Sequence, residues 1–211
     1  MVGLFAVAGL VTMVIVGTYL YGLTLSDSWS VSESILIDAP VAQVAEQIES
    51  PGAWTRWSMW SSDNDPSLEA KVVKDGEEDL GTLHFAGRAL GQGKLVLTEA
   101  GPDPKTPEGY RIAYLLYRQG ELFSDAGMFL LVPTEGRTRV TWSDSGEIGD
   151  TTGRLFRDRL IEMVSRDYAR CLEQLKVLVE REDTAEREAS GEPADSASPP
   201  SPASTPENTA P

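Results

Sequence analysis

The longest uninterrupted pattern in the chain is an amphipathic helix in residues 151–182. Apolar residues recur there at spacings of three and four, which places them on one stripe of a helix. The stripe comprises Phe156, Leu160, Met163, Val164, Tyr168, Cys171, Leu175 and Leu178. Charged residues fill the other side, and Thr151 or Thr152 is a suitable N-cap. A lone helix of this kind must bury its stripe on another layer, and a curved sheet is the natural candidate.

The segment before this helix predicts six β-strands separated by turn residues. The predicted strands cover residues 68–74, 80–87, 93–100, 110–118, 122–132 and 137–147. Their short breaks favour an antiparallel meander. Upstream, residues 29–38 predict a further strand, Pro40 opens a short helix, and residues 51–57 form a second helical or turn segment. We therefore predict an α+β helix-grip architecture, in which a seven-stranded antiparallel sheet curves around the long C-terminal helix.

The N-terminal segment, residues 2–25, contains no charged residue. A helix of this length crosses the ~30 Å hydrocarbon core of a bilayer. Tyr19, Tyr21 and Trp29 fit an aromatic belt at one interface. A cleaved signal peptide would carry a basic N-terminal region, which is missing, and no clear small-residue cleavage site follows the apolar run. A buried core helix is disfavoured by the length of the run and by the absence of a polar face. We predict a retained single-pass membrane anchor at residues 2–25, followed by a folded domain at residues 26–182.

Charge gives further limits on location and partners. No Lys or Arg precedes Arg56, so the positive-inside rule does not determine the orientation of the span. Asp27 and Glu33, directly after the span, weakly favour an extracytoplasmic domain. The net charge of -15 argues against nucleic acid as a partner and against charge-driven docking on anionic lipid. Residues 183–211, rich in Pro, Ser, Ala and acid, predict a disordered tail, with partner recognition by its Pro-rich part as the alternative.

The inventory of reactive side chains is short. The chain holds one cysteine, Cys171, and one histidine, His84, which excludes an internal disulfide and argues against a His/Cys zinc site. Cys171 lies on the apolar stripe and is interpreted as a core residue. If Leu83 and Phe85 point inward, strand alternation turns His84 to solvent. We therefore predict no catalytic residue, no metal site and no cofactor.

Several motifs together resemble the SRPBCC superfamily of START-related, polyketide-cyclase-like helix-grip domains. They are PGAWTRWSMW at residues 51–60 followed by Asp65-Pro66, SILIDAPVAQVAEQI, the strand GRTRVTWSDSGE and the final helix. The resemblance covers roughly residues 30–182, and bacterial members with an apolar N-terminal span have a similar layout. It implies a hydrophobic cavity between sheet and helix, and placement in a bacterial cell membrane. It leaves the activity open, because such domains include lipid carriers, hormone binders and cyclases.

Aromatic residues dominate the candidate ligand-binding set. Trp54, Trp57 and Trp60 recur every third residue, and either fill the core or line the mouth of a pocket. Asp125, between aromatic residues on its strand, is the best candidate for a polar group beside the cavity. On the helix, Met163, Val164, Tyr168 and Cys171 are predicted on the cavity side, with Leu175 and Leu178 sealing the core. The full predicted set is Trp54, Trp57, Trp60, Phe85, Tyr114, Asp125, Phe129, Trp142, Met163 and Tyr168.

These observations favour a membrane-anchored domain that binds a hydrophobic small molecule or lipid without catalysis. One alternative is a cyclase or dehydratase that uses His84, Asp125 or an Arg as acid or base. Convergence of two titratable residues in the pocket would favour that enzyme. The other alternative is a membrane-tethered interaction module without a ligand, which a collapsed core would favour.

Overall fold

A computed structural model describes residues 2–76, 79–118 and 124–190 of the chain. The helices are α1 (Val2–Thr24), α2 (Val41–Glu49), α3 (Trp54–Trp57), α4 (Thr151–Leu155) and α5 (Arg157–Ser190). The strands are β1 (Ser28–Ile37), β2 (Glu69–Val73), β3 (Thr82–Gly87), β4 (Gly91–Pro102), β5 (Tyr110–Arg118), β6 (Ser124–Thr134) and β7 (Arg137–Glu147). Pro40 occupies the N-cap position of α2, and β5 and β7 have the predicted bounds.

The seven strands form one antiparallel sheet in the order β1-β7-β6-β5-β4-β3-β2. Strands β2 to β7 are successive neighbours, as a meander requires, and β1 returns to pair with β7. In that last ladder Ser28 pairs with Glu147, so β1 starts where β7 ends. The predicted architecture, a curved antiparallel sheet with a long C-terminal helix against it, is confirmed.

The predicted C-terminal helix is divided at Phe156, which adopts φ -108° and ψ 10° between α4 and α5. Asp150, rather than a threonine, caps α4: its carboxylate accepts a hydrogen bond of 2.7 Å from the backbone N–H of Gly153. At the other end α5 continues to Ser190, so residues 183–190, predicted to be disordered, are helical. Glu, Arg and Ala dominate this extension and favour a helix. The rest of the predicted tail, residues 191–211, lies outside the described residues.

Burial along α5 changes at Tyr168. From Tyr168 onward the apolar side chains of the stripe are buried in the core. They are Tyr168, Cys171, Leu172, Leu175, Leu178 and Val179. Before it the apolar side chains Leu160, Ile161 and Val164 are only half-buried. We call this first part, residues 157–167, the N-terminal half of α5. The apolar stripe is therefore fully covered at one end of α5, the closed end of the grip. At the other end, which we call the loosely packed end, it packs against the core but stays partly open to solvent.

The prediction that Met163 faces the cavity is wrong, since its side chain is 55% exposed. Met163 lies five residues before Tyr168, which corresponds to about 140° around a helix of 3.6 residues per turn. Val164 lies four residues before Tyr168 and therefore within about 40° of it. The face toward the sheet is set by Tyr168, and it excludes Met163.

Helix α1 stands apart from this core. Its segment Val7–Thr24 has a mean hydropathy of 1.7 and its side chains are largely exposed, so by length and composition it is a candidate membrane span. Its C-terminal end touches the domain, where Gly22 is buried against α4.

Candidate functional site

The interior is built around three tryptophans that the segment after α2 brings under the sheet. Trp54 and Trp57 belong to α3, and Trp60 follows in the next loop. The indole N–H of Trp54 donates to the carbonyl of Ile48 over 2.7 Å, and that of Trp57 donates to the carbonyl of Gln47 over 3.2 Å. The indole N–H groups of Trp54 and Trp57 are thereby satisfied, and all three tryptophan side chains are buried.

Trp54 is the centre of a continuous aromatic cluster. Its ring centroid lies 5.2 to 6.2 Å from five other aromatic rings, which are those of Trp57, Trp60, Tyr114, Phe129 and Trp142. Phe85 joins through Trp60 at 5.8 Å, and Tyr168 of α5 stacks on Trp142 at 3.8 Å with 6° between planes. Edge-to-face and stacked pairs of this kind contribute about 0.5–1.5 kcal/mol each beyond area burial. Aromatic side chains therefore fill the closed end of the grip.

A buried carboxylate lies at the edge of this cluster. Asp144 of β7 is 3% exposed, and its Oδ2 accepts hydrogen bonds from the hydroxyls of Tyr114, at 3.0 Å, and Tyr168, at 2.5 Å. Its Oδ1 accepts from the backbone N–H of Ser145 at 2.8 Å. Burial raises the pKa of Asp144 above its ordinary value, although the two tyrosine hydrogen bonds oppose the shift.

The strand register explains how Tyr114 reaches that carboxylate. Tyr114 pairs with Gly127 on β6, and Gly127 pairs with Asp144 on β7, so the three lie in one row across the sheet. A Cβ at Gly127 would lie 2.0 Å from Cζ of Tyr114, so only glycine leaves room for the ring. The Tyr114 hydroxyl also accepts a hydrogen bond of 2.8 Å from the indole N–H of Trp142. Burial is the main reason that the pKa of Tyr114 lies well above its ordinary value.

This polar cluster, Asp144, Tyr114 and Tyr168, sits where the packing of α5 changes. Tyr168 is the first fully buried residue of the stripe, and Val164 lies one turn before it. The attraction of Arg118, at the end of β5, acts to lower the pKa of Asp144, although burial outweighs it. The two hydroxyls and the carboxylate are therefore surrounded by aromatic side chains on one side and by the partly covered stripe of α5 on the other.

Most of the predicted site residues are brought together by the fold. Eight of them form the connected aromatic cluster: Trp54, Trp57, Trp60, Phe85, Tyr114, Phe129, Trp142 and Tyr168. Met163 lies outside it on the exposed side of α5. Asp125 pairs with Leu116 in the β5–β6 ladder, but its side chain lies outside the described residues.

Sequence reasoning missed Asp144, although the signal was present in TRVTWSDSGE. Strand alternation places Trp142 and Asp144 on the same face, so an inward Trp142 requires an inward Asp144. The sequence favours Asp125 instead, because aromatic residues, Phe123 and Phe129, lie on both sides of it along the same strand face.

The other singled-out residues lie away from the interior or are inert there. His84 is exposed on the outer face, between Lys71 and Lys94 in the ladders of β2, β3 and β4. These residues line an open groove of about 720 Å³. Cys171 is buried, and burial raises the pKa of its thiol to about 11. Within the described ranges, no group of three or more His, Cys, Asp or Glu side chains is placed to hold a metal ion.

Solved structures share this fold at low sequence identity. Norcoclaurine synthase from Thalictrum flavum, a point mutant with a transition-state analogue, has a TM-score of 0.55 at 12% identity, covering 75% of this chain and 98% of that chain. An aromatase/cyclase from a Streptomyces species has a TM-score of 0.51 at 16% identity, covering 73% of this chain and 94% of that chain. A hypothetical protein from Helicobacter pylori has a TM-score of 0.54 at 11% identity, covering 72% of this chain and 88% of that chain. Identities this low show a shared fold alone.

The sequence itself identifies the family. A comparison with curated protein sequences found no significant match. The family model described as polyketide cyclase / dehydrase and lipid transport matches residues 28–180, from the first strand of the sheet into α5. That match includes every residue of the aromatic cluster and the carboxylate beside it. The chain therefore belongs to the polyketide cyclase/dehydrase and lipid transport family.

Proposed function

We propose that the protein binds a hydrophobic small molecule or lipid, without catalysis, between the sheet and the N-terminal half of α5, while α1 anchors the domain in a membrane. The observation that carries the proposal is the position of Asp144 and its two tyrosines. They lie at the boundary between the filled aromatic interior and the loosely packed end of the grip. The family description, which includes lipid transport, supports the same class of ligand.

The loosely packed end supplies the apolar contacts. Leu160, Ile161 and Val164 are half-buried, so a ligand that covered them would remove further apolar surface from water. Each Å² so covered stabilises the complex by about 25 cal/mol. The closed end cannot contribute in the same way without displacing tryptophans that are already packed and hydrogen-bonded.

Asp144 supplies the polar contact. A carboxylate has about four acceptor positions, and three of those on Asp144 are used by Tyr114, Tyr168 and the Ser145 N–H. A hydroxyl or amine of the ligand would use the fourth. One such bond fixes the orientation of a ligand whose binding energy comes mainly from apolar burial.

The second candidate function is that of a cyclase or dehydratase. Asp144, Tyr114 and Tyr168 are three titratable groups that converge at one point, which is the feature expected of acid–base chemistry. Two of the proteins that share the fold are the enzymes norcoclaurine synthase and an aromatase/cyclase. We favour the binder because both tyrosine hydroxyls donate to the same oxygen of Asp144, so neither hydroxyl proton is directed at a substrate.

The proposal is tested by photo-crosslinking of the full chain in phosphatidylcholine nanodiscs with a diazirine-bearing fatty acid. Mapping by mass spectrometry is expected to find label at Tyr114 or Leu116, which face the interior, as well as in α1. The variant Val164→Trp fills the loosely packed end and is expected to abolish the interior label. The same change at Val177, which is 64% exposed on the far half of α5, is the control and leaves labelling intact. Label confined to α1, or interior label that survives Val164→Trp, contradicts the proposal.

The same preparation separates the binder from the enzyme. A catalytic network loses turnover when Asp144→Asn removes its base, while binding of the probe persists. For the binder, Asp144→Asn weakens capture of a hydroxylated fatty acid relative to the plain fatty acid, because only the hydroxyl uses the carboxylate.

A further inference from the structure

The junction between α1 and the domain is a direct helix–helix contact. Gly22, in the last turn of α1, lies against Thr151 at the start of α4. A Cβ added at Gly22 would lie 2.5 Å from Cγ2 of Thr151, 3.0 Å from its carbonyl oxygen and 3.7 Å from Cδ2 of Leu155. The two backbones approach this closely only because position 22 has no side chain.

Polar contacts hold the segment that follows α1. The backbone N–H of Ile148 donates to the carbonyl of Asp27 over 2.6 Å, and Nε of Arg157 donates to the carbonyl of Ser28 over 2.7 Å. Nη2 of Arg154 lies 3.5 Å from Oδ2 of Asp27. The connection is therefore fixed to α4 and to the start of α5, and it is not a free tether.

This junction sets the depth of α4 relative to a membrane that α1 spans. Gly22 lies within one turn of Tyr19 and Tyr21, the exposed aromatic residues expected at the lipid–water interface. Because Thr151 is in contact with Gly22, α4 lies at the same level. The residue that follows α4 is Phe156, whose side chain is 61% exposed. At the level of the interface, a large aromatic side chain is suited to the boundary between headgroups and acyl chains, as on helices that lie in the membrane surface.

The charge around Phe156 also suits a membrane surface. Residues 150–162 hold three Arg and three acids, so their formal charges cancel, while the whole chain carries -15. Arg154 and Arg157 are engaged at the junction, and Arg159 is exposed beside Phe156. Repulsion from anionic headgroups is therefore weaker here than over the acidic remainder, and an arginine is available for lipid phosphate.

We propose that the corner between α4 and α5 is a membrane-contact surface, in which Phe156 inserts into the interfacial region of the bilayer that α1 spans and Arg159 contacts lipid phosphate. This inference rests on the membrane anchor of the proposed function and adds an orientation to it. The N-terminal half of α5 then starts at the bilayer, so the loosely packed end of the grip faces the lipid. A hydrophobic ligand passes between bilayer and interior over a short path.

Nitroxide labelling of the full chain in phosphatidylcholine vesicles containing phosphatidylglycerol tests the proposal. The native cysteine, Cys171, is buried with its thiol pKa raised to about 11, so labelling at neutral pH is selective for an introduced exposed cysteine. Labels are placed by Phe156→Cys, Met13→Cys in α1, and Val177→Cys, which lies roughly 30 Å further along α5. The accessibility of each label to oxygen and to a water-soluble nickel chelate reports whether it lies in lipid or in water.

The expected result is a several-fold higher oxygen-to-nickel ratio at Phe156→Cys than at Val177→Cys, with Met13→Cys higher than both. Immersion of Met13→Cys with a water-exposed label at position 156 overturns the contact surface while leaving the anchor intact. A water-exposed label at Met13→Cys overturns both. Equal immersion of the labels at positions 156 and 177 overturns the assignment of the contact to this corner.

A second substitution tests the role of the junction. Gly22→Leu forces α1 away from Thr151 and is expected to lower the oxygen-to-nickel ratio at Phe156→Cys while leaving Met13→Cys unchanged. Gly17→Leu is the matched control, because a Cβ there meets nothing within 4 Å among the described residues. If both glycine variants leave the label at position 156 equally immersed, the junction does not hold the corner at the membrane.

Discussion

The ring of Tyr114 passes over Gly127 of the adjacent strand, so that the tyrosine hydroxyl reaches Asp144 two strands away. This one relationship depends on the register of β5, β6 and β7 together and on the absence of a side chain at position 127. It sets the position of the polar group at the edge of the aromatic interior. The stability of this arrangement is therefore open to direct test by small substitutions.

Gly127→Ala is expected to destabilise the fold by about 1–3 kcal/mol, the usual cost of forcing an extra carbon into a packed core. The added Cβ would lie 2.0 Å from Cζ of Tyr114, so the ring must move and its hydrogen bond to Asp144 is lost. Urea unfolding followed by tryptophan fluorescence measures the loss. Gly101→Ala is the control, because a Cβ at Gly101 meets nothing within 4 Å among the described residues. Equal stability of the two variants would show that Tyr114 does not depend on Gly127.

Tyr168→Phe and Tyr114→Phe are expected to differ in their effect on the free energy of unfolding. Each removes one donor to Asp144, at a cost of about 1–3 kcal/mol for a buried charged acceptor. Tyr114→Phe also leaves the indole N–H of Trp142 without the acceptor it uses at 2.8 Å, so its loss is the larger. Tyr168→Phe keeps the stacking on Trp142. A larger loss for Tyr168→Phe would contradict this assignment of partners.

The pH dependence of Tyr168→Phe follows from the raised pKa of Asp144. Burial is the main cause of that shift, and removal of a tyrosine donor raises the pKa further. The folded state then binds more protons than the unfolded state, so stability falls as pH rises from the unfolded pKa of about 3.8 through the folded value. Unfolding measured at several pH values is expected to show a greater loss at neutral pH than in mild acid. A loss that is independent of pH would mean that Asp144 does not carry the effect.

Asp65 is expected to give the opposite pH dependence. Its carboxylate accepts hydrogen bonds from the hydroxyl and the N–H of Ser67 and from the N–H groups of Ala89 and Leu90. These bonds, above all that of the Ser67 hydroxyl, lower the pKa of Asp65 to about 2. The folded state favours the carboxylate, so this contribution is present above the unfolded pKa of about 3.8 and is lost as pH falls toward about 2.

Asp65→Asn is the variant that tests this assignment. It is expected to reduce stability at neutral pH and to flatten the decline between about pH 4 and about pH 2. Asp63→Asn, at an exposed neighbouring carboxylate, is the control. It is expected to leave the acid limb, the decline of stability at low pH, unchanged. An acid limb that is equally steep in the Asp65→Asn protein would show that the loss of stability in acid arises elsewhere.

Trp57→Ala is expected to destabilise the domain by about 3–5 kcal/mol while leaving capture of the fatty-acid probe unchanged. The reason is that Trp57 is fully buried in the closed end of the grip, packed on Phe129 and Trp142. Chemical unfolding and photo-crosslinking on the same preparation measure both quantities. Tyr117→Ala, at an exposed outer-face aromatic residue, is the control for loss of ring area. Loss of capture in folded Trp57→Ala would make the tryptophan part of the ligand site.

Much of the fold was predictable because it depends on local periodicity. Alternation along residues 110–118 and 137–147 predicted both strands with the bounds that the structure has. The stripe of α5 was likewise visible as a helical pattern. The break at Phe156 was not, since no Pro marks it. The contact of α4 with Gly22, more than a hundred residues earlier, is likewise not visible in any local pattern.

The site was predictable in composition but not in geometry. The aromatic members could be selected because large apolar side chains on strands and helices collect in a core. The network of Asp144 could not be assembled, because it joins β5, β7 and α5 through a register that no local pattern specifies. Met163 shows the converse error, since a spacing of three from Leu160 fits a helical stripe but points away from the sheet at this position.

Native mass spectrometry of the full chain, released from the membrane in which it was made, tests the proposed ligand site most directly. We expect one hydrophobic adduct in the native protein and in the Val177→Trp control, and its loss in Val164→Trp, in which the loosely packed end of the grip is filled. Lipids bound only around α1 would be retained equally by all three proteins. An adduct that persists in Val164→Trp, or no adduct in the native protein, would contradict a ligand site between the sheet and α5.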